Sequence, residues 1–221
     1  GARAWAVADQ QIVRSEDGGF TWSAPLFSSS DVFLKGITFV DRETGWAVGG
    51  SDFGSGAALL HTIDGGATWT SQLDNVTGVP RPADTQFSFF DVTFTTAQHG
   101  VAVGAAQQGV ANYGPPPLIV VTEDGGTNWH AAQGLPSFPG ILRSVCINAT
   151  GVGIAVGYAA VSRGMVLVTT DGGTSWTDVS VLGGLAGGDT TVISSAACAP
   201  PGQFWISGVN IGFRGAGTRT D

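Results

Sequence analysis

Charge of either sign is scarce in this sequence. Lys plus Arg number 9 and Asp plus Glu 17, and charged residues make up 12% of 221 positions. The one lysine is Lys35, and the net charge of −8 offers no electrostatic footprint for nucleic acid or an anionic membrane. Apolar runs are short, and none approaches the roughly 18 residues of a spanning helix, so membrane insertion is not expected. Cysteine occurs only at Cys146 and Cys198, too few for a disulfide-scaffold class. Methionine occurs once, at Met165, so the sequence does not open on a translation start. We expect a processed product, a fragment or part of something longer. Its beginning has no charged n-region and apolar h-region of an export signal. Low charge is not disorder here, because 43% of the residues are hydrophobic. The 35 glycines point to many tight turns rather than to a helical bundle.

What the chain does have is repetition. Ser15-Glu16-Asp17-Gly18-Gly19-Phe20-Thr21-Trp22 recurs as Thr62-Ile63-Asp64-Gly65-Gly66-Ala67-Thr68-Trp69. It returns as Thr122-Glu123-Asp124-Gly125-Gly126-Thr127-Asn128-Trp129 and as Thr169-Thr170-Asp171-Gly172-Gly173-Thr174-Ser175-Trp176. The aspartates lie 47, 60 and 47 residues apart, a constant unit with an insertion in one copy. A second motif precedes each box: Trp5-Ala6-Val7-Ala8, Trp46-Ala47-Val48-Gly49, Val101-Ala102-Val103-Gly104 and Ile154-Ala155-Val156-Gly157, with a looser Trp205-Ile206-Ser207-Gly208. Ahead of the later copies runs a third apolar segment, such as Gly36-Ile37-Thr38-Phe39-Val40. Each unit thus holds four short strands in about 45 residues, the pattern of a propeller blade. The expected fold is all-β: a β-propeller of four-stranded antiparallel blades, about five in number or part of a larger ring. It is one domain over 1–221, with repeats near 1–30, 31–75, 85–135, 141–182 and 190–221.

Asp-Gly-Gly suits a hairpin between the third and fourth strands. The aspartate is expected to accept from backbone N–H groups a residue or two ahead, and the glycines supply positive φ. The tryptophan after each turn is expected to fold back over the sheet. Asp17, Trp22, Asp64, Trp69, Asp124, Trp129, Asp171 and Trp176 are therefore assigned structural roles. One carboxylate per box is too few for calcium, and His61, His99 and His130 show no ligand spacing. Neither a metal nor a cofactor is expected.

The box resembles the Asp box of the bacterial-neuraminidase-repeat propellers, carried by sialidases and sortilin-type receptors. Gly45-Trp46-Ala47-Val48-Gly49 followed by Leu59-Leu60-His61-Thr62 and the box is most similar to the photosystem II assembly and stability factor group. That resemblance implies a propeller, and for that group a basic patch engaging a photosystem subunit. Here Arg3, Arg14, Arg42, Arg81, Arg143, Arg163, Arg214 and Arg219 read as scattered singly, so no patch is assigned. A sialidase-like glycoside hydrolase needs an arginine cluster and a Tyr–Glu pair. Only Tyr113, Tyr158, Glu16, Glu43 and Glu123 are available, and the glutamates fall in boxes or in first-to-second-strand turns.

In a four-stranded meander the boxes share one end with the first-to-second-strand turns, and the long variable loops share the other. Function is expected on the variable end, with Phe53, Phe87, Tyr113 and Phe138 as candidate contacts for a protein or glycan partner. Asn75 and Asn148 open N-glycosylation sequons. The function expected is that of a non-catalytic, extracytoplasmic interaction or structural scaffold module, secreted, periplasmic or lumenal. A photosystem II assembly factor-like protein and a sialidase-like hydrolase are the alternatives.

Cys146 and Cys198 take matching places in consecutive first strands, and two buried free thiols are expected. The first repeat begins at its second strand. The last has a third strand after Asn210 and stops at Thr220-Asp221 before a fourth. The two cannot merge into one blade, so the missing strands are expected from further sequence in a longer polypeptide or from a neighbouring subunit.

Overall fold

The computed structural model describes residues 2–50, 56–79, 86–107, 116–159, 163–180, 190–199 and 203–211. The expected strand after Asn210 and the end at Thr220-Asp221 fall largely or wholly outside them. The described chain is sheet apart from turns and one short 3-10 segment, Leu73–Asn75. No helix of the described residues is long and apolar enough to cross a membrane.

The first sheet comprises β1 (Ala4–Ala8), β2 (Gln11–Ser15) and β3 (Phe27–Ser28). The second is a four-stranded meander of β4 (Leu34–Phe39), β5 (Gly45–Gly50), β6 (Ala57–Thr62) and β7 (Thr70–Ser71). After the 3-10 segment, β8 (Val76–Thr77) crosses to the outer edge of the third sheet. That sheet continues with β9 (Gln86–Phe94), β10 (Gly100–Gln107), β11 (Pro117–Thr122) and β12 (Trp129–Ala131), with β8 parallel to β12. The fourth holds β13 (Gly140–Ile147), β14 (Gly153–Ala159), β15 (Arg163–Thr169) and β16 (Thr177–Asp178). The fifth pairs β17 (Thr190–Ala199) with β18 (Gln203–Ile211). The first strands β4, β9, β13 and β17 are the inner edges, each packed on the next.

The core lies between blades. Second and third strands are covered on both faces, and so read as continuous apolar runs: every residue of Gly45–Gly50 and Pro117–Thr122 is buried. The first two joints are built alike. Trp5 stacks on Phe39 with ring centroids 3.8 Å apart, and its indole N–H donates to the Gly65 carbonyl at 3.0 Å. Trp46 stacks on Phe94 at 3.4 Å and donates to the Gly125 carbonyl at 3.3 Å. Trp69 and Trp129 close the edges of Phe39 and Phe94 in T-shaped contacts. In the third joint Val101 and Ile147 fill the same space against Trp176. The lost indole donor is replaced from two residues earlier: His99 Nε2 bonds the Gly172 carbonyl at 2.7 Å, and since a carbonyl only accepts, that nitrogen carries the proton.

Every first strand has a β-bulge, where one extra residue faces its partner. The registers slip between Leu34 and Gly36, between Leu142 and Ser144 and between Ile193 and Ser195, and opposite Val103/Gly104 in β10. The inserted residues are Lys35, Phe90, Arg143 and Ser194. The bulge explains the glycine that ends each Ala-Val-Gly motif. A Cβ on Gly104 would strike the Ser88 carbonyl, and one on Gly157 the Ile141 carbonyl.

The bulge also corrects the expectation for the cysteines, which form a disulfide with Cα atoms 5.8 Å apart. Counted from the bulge, Cys146 aligns with Thr38 and Cys198 with Phe39, so their places differ by one residue. Side chains alternate along a strand, and the offset turns Cys198 back toward the fourth blade while Cys146 faces the fifth. Inner strands also converge, which brings the Cα atoms within bridging range.

Candidate functional site

The two ends of the blades have different chemistry. At the box end, hydrogen bonds are saturated locally. Thr62 Oγ1 accepts from Gly66 N at 2.9 Å and donates to Asp64 Oδ1 at 2.8 Å. Asp64 then accepts the Thr68 N–H at 2.9 Å and the Thr68 hydroxyl at 2.6 Å. Ser15/Asp17/Thr21, Thr122/Asp124/Asn128 and Thr169/Asp171/Ser175 repeat the arrangement. The aspartate therefore reaches four residues ahead rather than one or two. The threonine or serine two residues before it accepts from the N–H of the second glycine, and both glycines take positive φ, 71° and 89° in the second box. Donors from Thr68 and then Thr62 hold the Asp64 carboxyl at about 2, and donors from Ser175 and then Thr169 hold that of Asp171 at about 2.

The box turns lean on the first-to-second-strand turns of their own blades: Gly65 N donates to the Glu43 carbonyl, Gly125 N to Gln98 and Gly172 N to Gly151. All three glutamates lie at this end. Glu16 binds Arg3 at 2.8 Å and Arg14 at 2.9 Å, and Glu123 sits inside the third box.

Toward the other end the bulge column converges. Lys35 Nζ lies 4.1 Å from the centroid of Phe90, and the Arg143 guanidinium carbon 4.5 Å from it. The cations come from the blades on either side of the blade that carries the ring. Arg143 also donates to the Tyr158 hydroxyl at 3.4 Å and sits 5.6 Å from that ring. Tyr158 stands next to the last residue of β14, where the second-to-third-strand loop begins. Lys35, Arg143 and Tyr158 are half-buried and Phe90 is buried. Two cations held over one aromatic ring form a preoriented cationic cluster. Arg143 and Lys35, expected to be isolated, thus belong to one cluster. Counting every first strand from its bulge would have shown the column in the sequence.

Of the loop contacts expected from sequence, Phe53 and Tyr113 lie outside the described residues. Phe87 is corrected: β9 begins before it, and its ring is buried beside Phe89 in the joint between the second and third blades. Phe138 is half-buried against the next joint. Asn75 is exposed, and its amide donates to the Gly126 carbonyl at 3.2 Å. Asn148 is half-buried, its side-chain oxygen accepting from Thr150 and Val152. No cluster of three or more metal-ligating side chains occurs among the described residues.

Known structures fix the fold. YCF48 bound to D1 peptide matches with a TM-score of 0.57 at 22% identity, over 92% of this chain and 56% of that one. An ancestral GH74 enzyme matches at 0.64 and 14% identity, over 93% and 26%. A Trypanosoma rangeli sialidase mutant displaying trans-sialidase activity matches at 0.50 and 14%, over 77% and 32%. The fold is that of an Asp-box β-propeller. The chain spans about half the length of the YCF48 chain and about a quarter of the GH74 enzyme. No protein-family model and no curated protein matches it in sequence.

Proposed function

We propose that the chain is a non-catalytic, extracytoplasmic binding module that takes an acidic segment of a protein partner on Lys35, Phe90, Arg143 and Tyr158. The observation that carries this reading is the convergence of two cations on one ring from neighbouring blades, in a chain whose net charge is −8. A polypeptide supplies what the cluster complements: carboxylates for its cations and side-chain bulk for Tyr158. The disulfide supports an oxidising compartment. Against hydrolysis, Glu16, Glu43 and Glu123 sit at the box end while Tyr158 stands at the other, so no Tyr–Glu pair forms at the cluster.

The test is titration of the chain with acidic and basic peptides of equal length. Acidic peptides should bind, weaken with added salt, and lose about tenfold or more in affinity when Lys35 and Arg143 are both replaced by Ala. Equal binding of both peptides, or affinity that survives the double replacement, refutes the site. Preference for a neutral glycan would move the reading to a carbohydrate partner, and turnover of a sialoside or glucan would overturn the non-catalytic part. A photosystem-assembly reading is favoured by one observation, the likeness to YCF48 bound to D1 peptide. Binding of that peptide in preference to the acidic peptides would support it.

A further inference from the structure

The residue just past each bulge governs how closely neighbouring inner strands approach. In the fourth and fifth sheets the amide two residues past the bulge turns toward the preceding blade, and a covered N–H needs an acceptor. Val145 N donates to Asp91 Oδ2 at 3.0 Å, and Ala196 N to Ser144 Oγ at 3.2 Å. Each acceptor is the side chain just past the bulge of the blade before. Ser144 Oγ also donates to the same Asp91 oxygen at 2.9 Å. The third and fourth blades are thus clamped by two hydrogen bonds to one carboxylate oxygen. The residues immediately before Asp91 and Ser144 are Phe90 and Arg143, the ring and the cation 4.5 Å from its centroid.

The second and third blades meet in another way. The matching residue is Gly36, which has no side chain to offer, and Val92 N is capped by Asp91 Oδ1 at 2.9 Å. β4 closes directly on β9. A Cβ on Gly36 would lie 3.0 Å from the Asp91 Cα and 3.2 Å from Val48 Cγ2, closer than such carbons ordinarily come, so a side chain here would push the strands apart. The residue immediately before Gly36 is Lys35, whose ammonium reaches the Phe90 ring at 4.1 Å. Both cations meet one ring only while both spacings hold.

We propose that Gly36, Asp91 and Ser144 are positioning residues of the acidic-segment site: Gly36 places Lys35, and the Asp91–Ser144 pair places Arg143. This rests on the reading of Lys35 and Arg143 as the groups that take the segment. The three residues act by fixing distances between inner strands, not by touching the ligand. Their roles are separable, because the two spacings lie on opposite sides of β9.

The test is a set of double-substitution cycles read by peptide titration at equal folded concentration. Gly36→Ala and Ser144→Ala should each lower acidic-peptide affinity about fivefold. In a chain already carrying Lys35→Ala, Gly36→Ala should cost nothing more. Ser144→Ala should likewise cost nothing more beside Arg143→Ala. The crossed pairs, Gly36→Ala with Arg143→Ala and Ser144→Ala with Lys35→Ala, should be additive. Ser144→Thr keeps the hydroxyl and should recover the loss. A general loosening of the fold would lower affinity alike in every background, and that result overturns the proposal. So does affinity unmoved by either substitution.

A second readout needs no peptide. The ring current of Phe90 displaces the side-chain resonances of Arg143, and Phe90→Leu identifies those signals by removing the shift. Ser144→Ala should move them toward their ordinary positions, and Gly36→Ala should leave them in place. Should no acidic peptide bind, the site reading falls, and this arm alone decides whether the spacing residue places Arg143. Arg143 signals indifferent to Ser144→Ala show that it does not.

Discussion

The box end and the bulge column show opposite ways of using a repeat. At the box end four copies present nearly the same donors and acceptors, joined to one another: Thr or Ser before the aspartate, and Thr, Asn or Ser four residues after it. In the bulge column the copies present Lys35, Phe90, Arg143 and Ser194, a different side chain each time. Sameness suits a part that every blade needs for closure of its outer hairpin. Difference suits a place where several blades meet one ligand. Substitutions at the box end should therefore cost stability and spare binding, and substitutions in the column should do the reverse.

The strongest challenge to that division is Trp129→Ala. Trp129 is fully buried, meets Phe94 edge-on, and donates to Gln72 Oε1 at 3.2 Å. Its loss should cost about 3–5 kcal/mol in urea unfolding, while the protein that remains folded binds acidic peptide unchanged. A parallel loss of affinity at equal folded concentration would mean that the ends are coupled. Next comes Thr62→Val, which keeps the shape but leaves the buried Gly66 N–H without its acceptor. The expected loss is about 1–3 kcal/mol, and Thr62→Ser should recover most of it. If valine is tolerated, the hydroxyl is not what closes the turn.

From the other side, Arg143→Ala should remove about 1.4 kcal/mol of peptide affinity, a tenfold effect. Its stability cost should stay within about 1 kcal/mol, the worth of a partly exposed cation on a ring. Isothermal titration and urea unfolding on the same preparation separate the two. A stability loss larger than the affinity loss would make Arg143 a packing residue.

These differences also explain what could be read from the chain itself. The box and the Ala-Val-Gly motif are repeated, local and tied to turn and close-approach chemistry, so the blades were visible. The bulge was not, because an inserted residue shows only when first strands are set against second strands. Missing it hid the Lys35–Phe90–Arg143 column and aligned Cys146 with Cys198 one residue out, turning a disulfide into two thiols. Phe87 was misplaced because β9 starts earlier than the Asp91-Val92-Thr93-Phe94 core suggests. Phe89 and Phe87 sit on one face of it, directed into the joint.

The smallest effect concerns acid, where two sets of carboxyls work with opposite sign. Burial between blades raises the Asp91 carboxyl, opposed by donors from Val145, Ser144 and Val92. A raised folded value means that the protonated form favours the fold. Its contribution is complete below the unfolded value near 3.8 and is lost as pH rises through the folded one. The box aspartates are the reverse. With Asp64 and Asp171 near 2, their contribution is present above the unfolded value near 3.8 and lost as pH falls toward 2. Stability should therefore rise slightly on going from neutral pH toward 4, then fall below it. Asp91→Asn should flatten the upper limb and keep the lower. Asp64→Asn with Asp171→Asn should shallow the lower limb and keep the upper. Urea midpoints taken from pH 3 to 7 on the three proteins decide it. A lower limb unchanged by the double box substitution would show that the aspartates do not stabilise the turns through their charge.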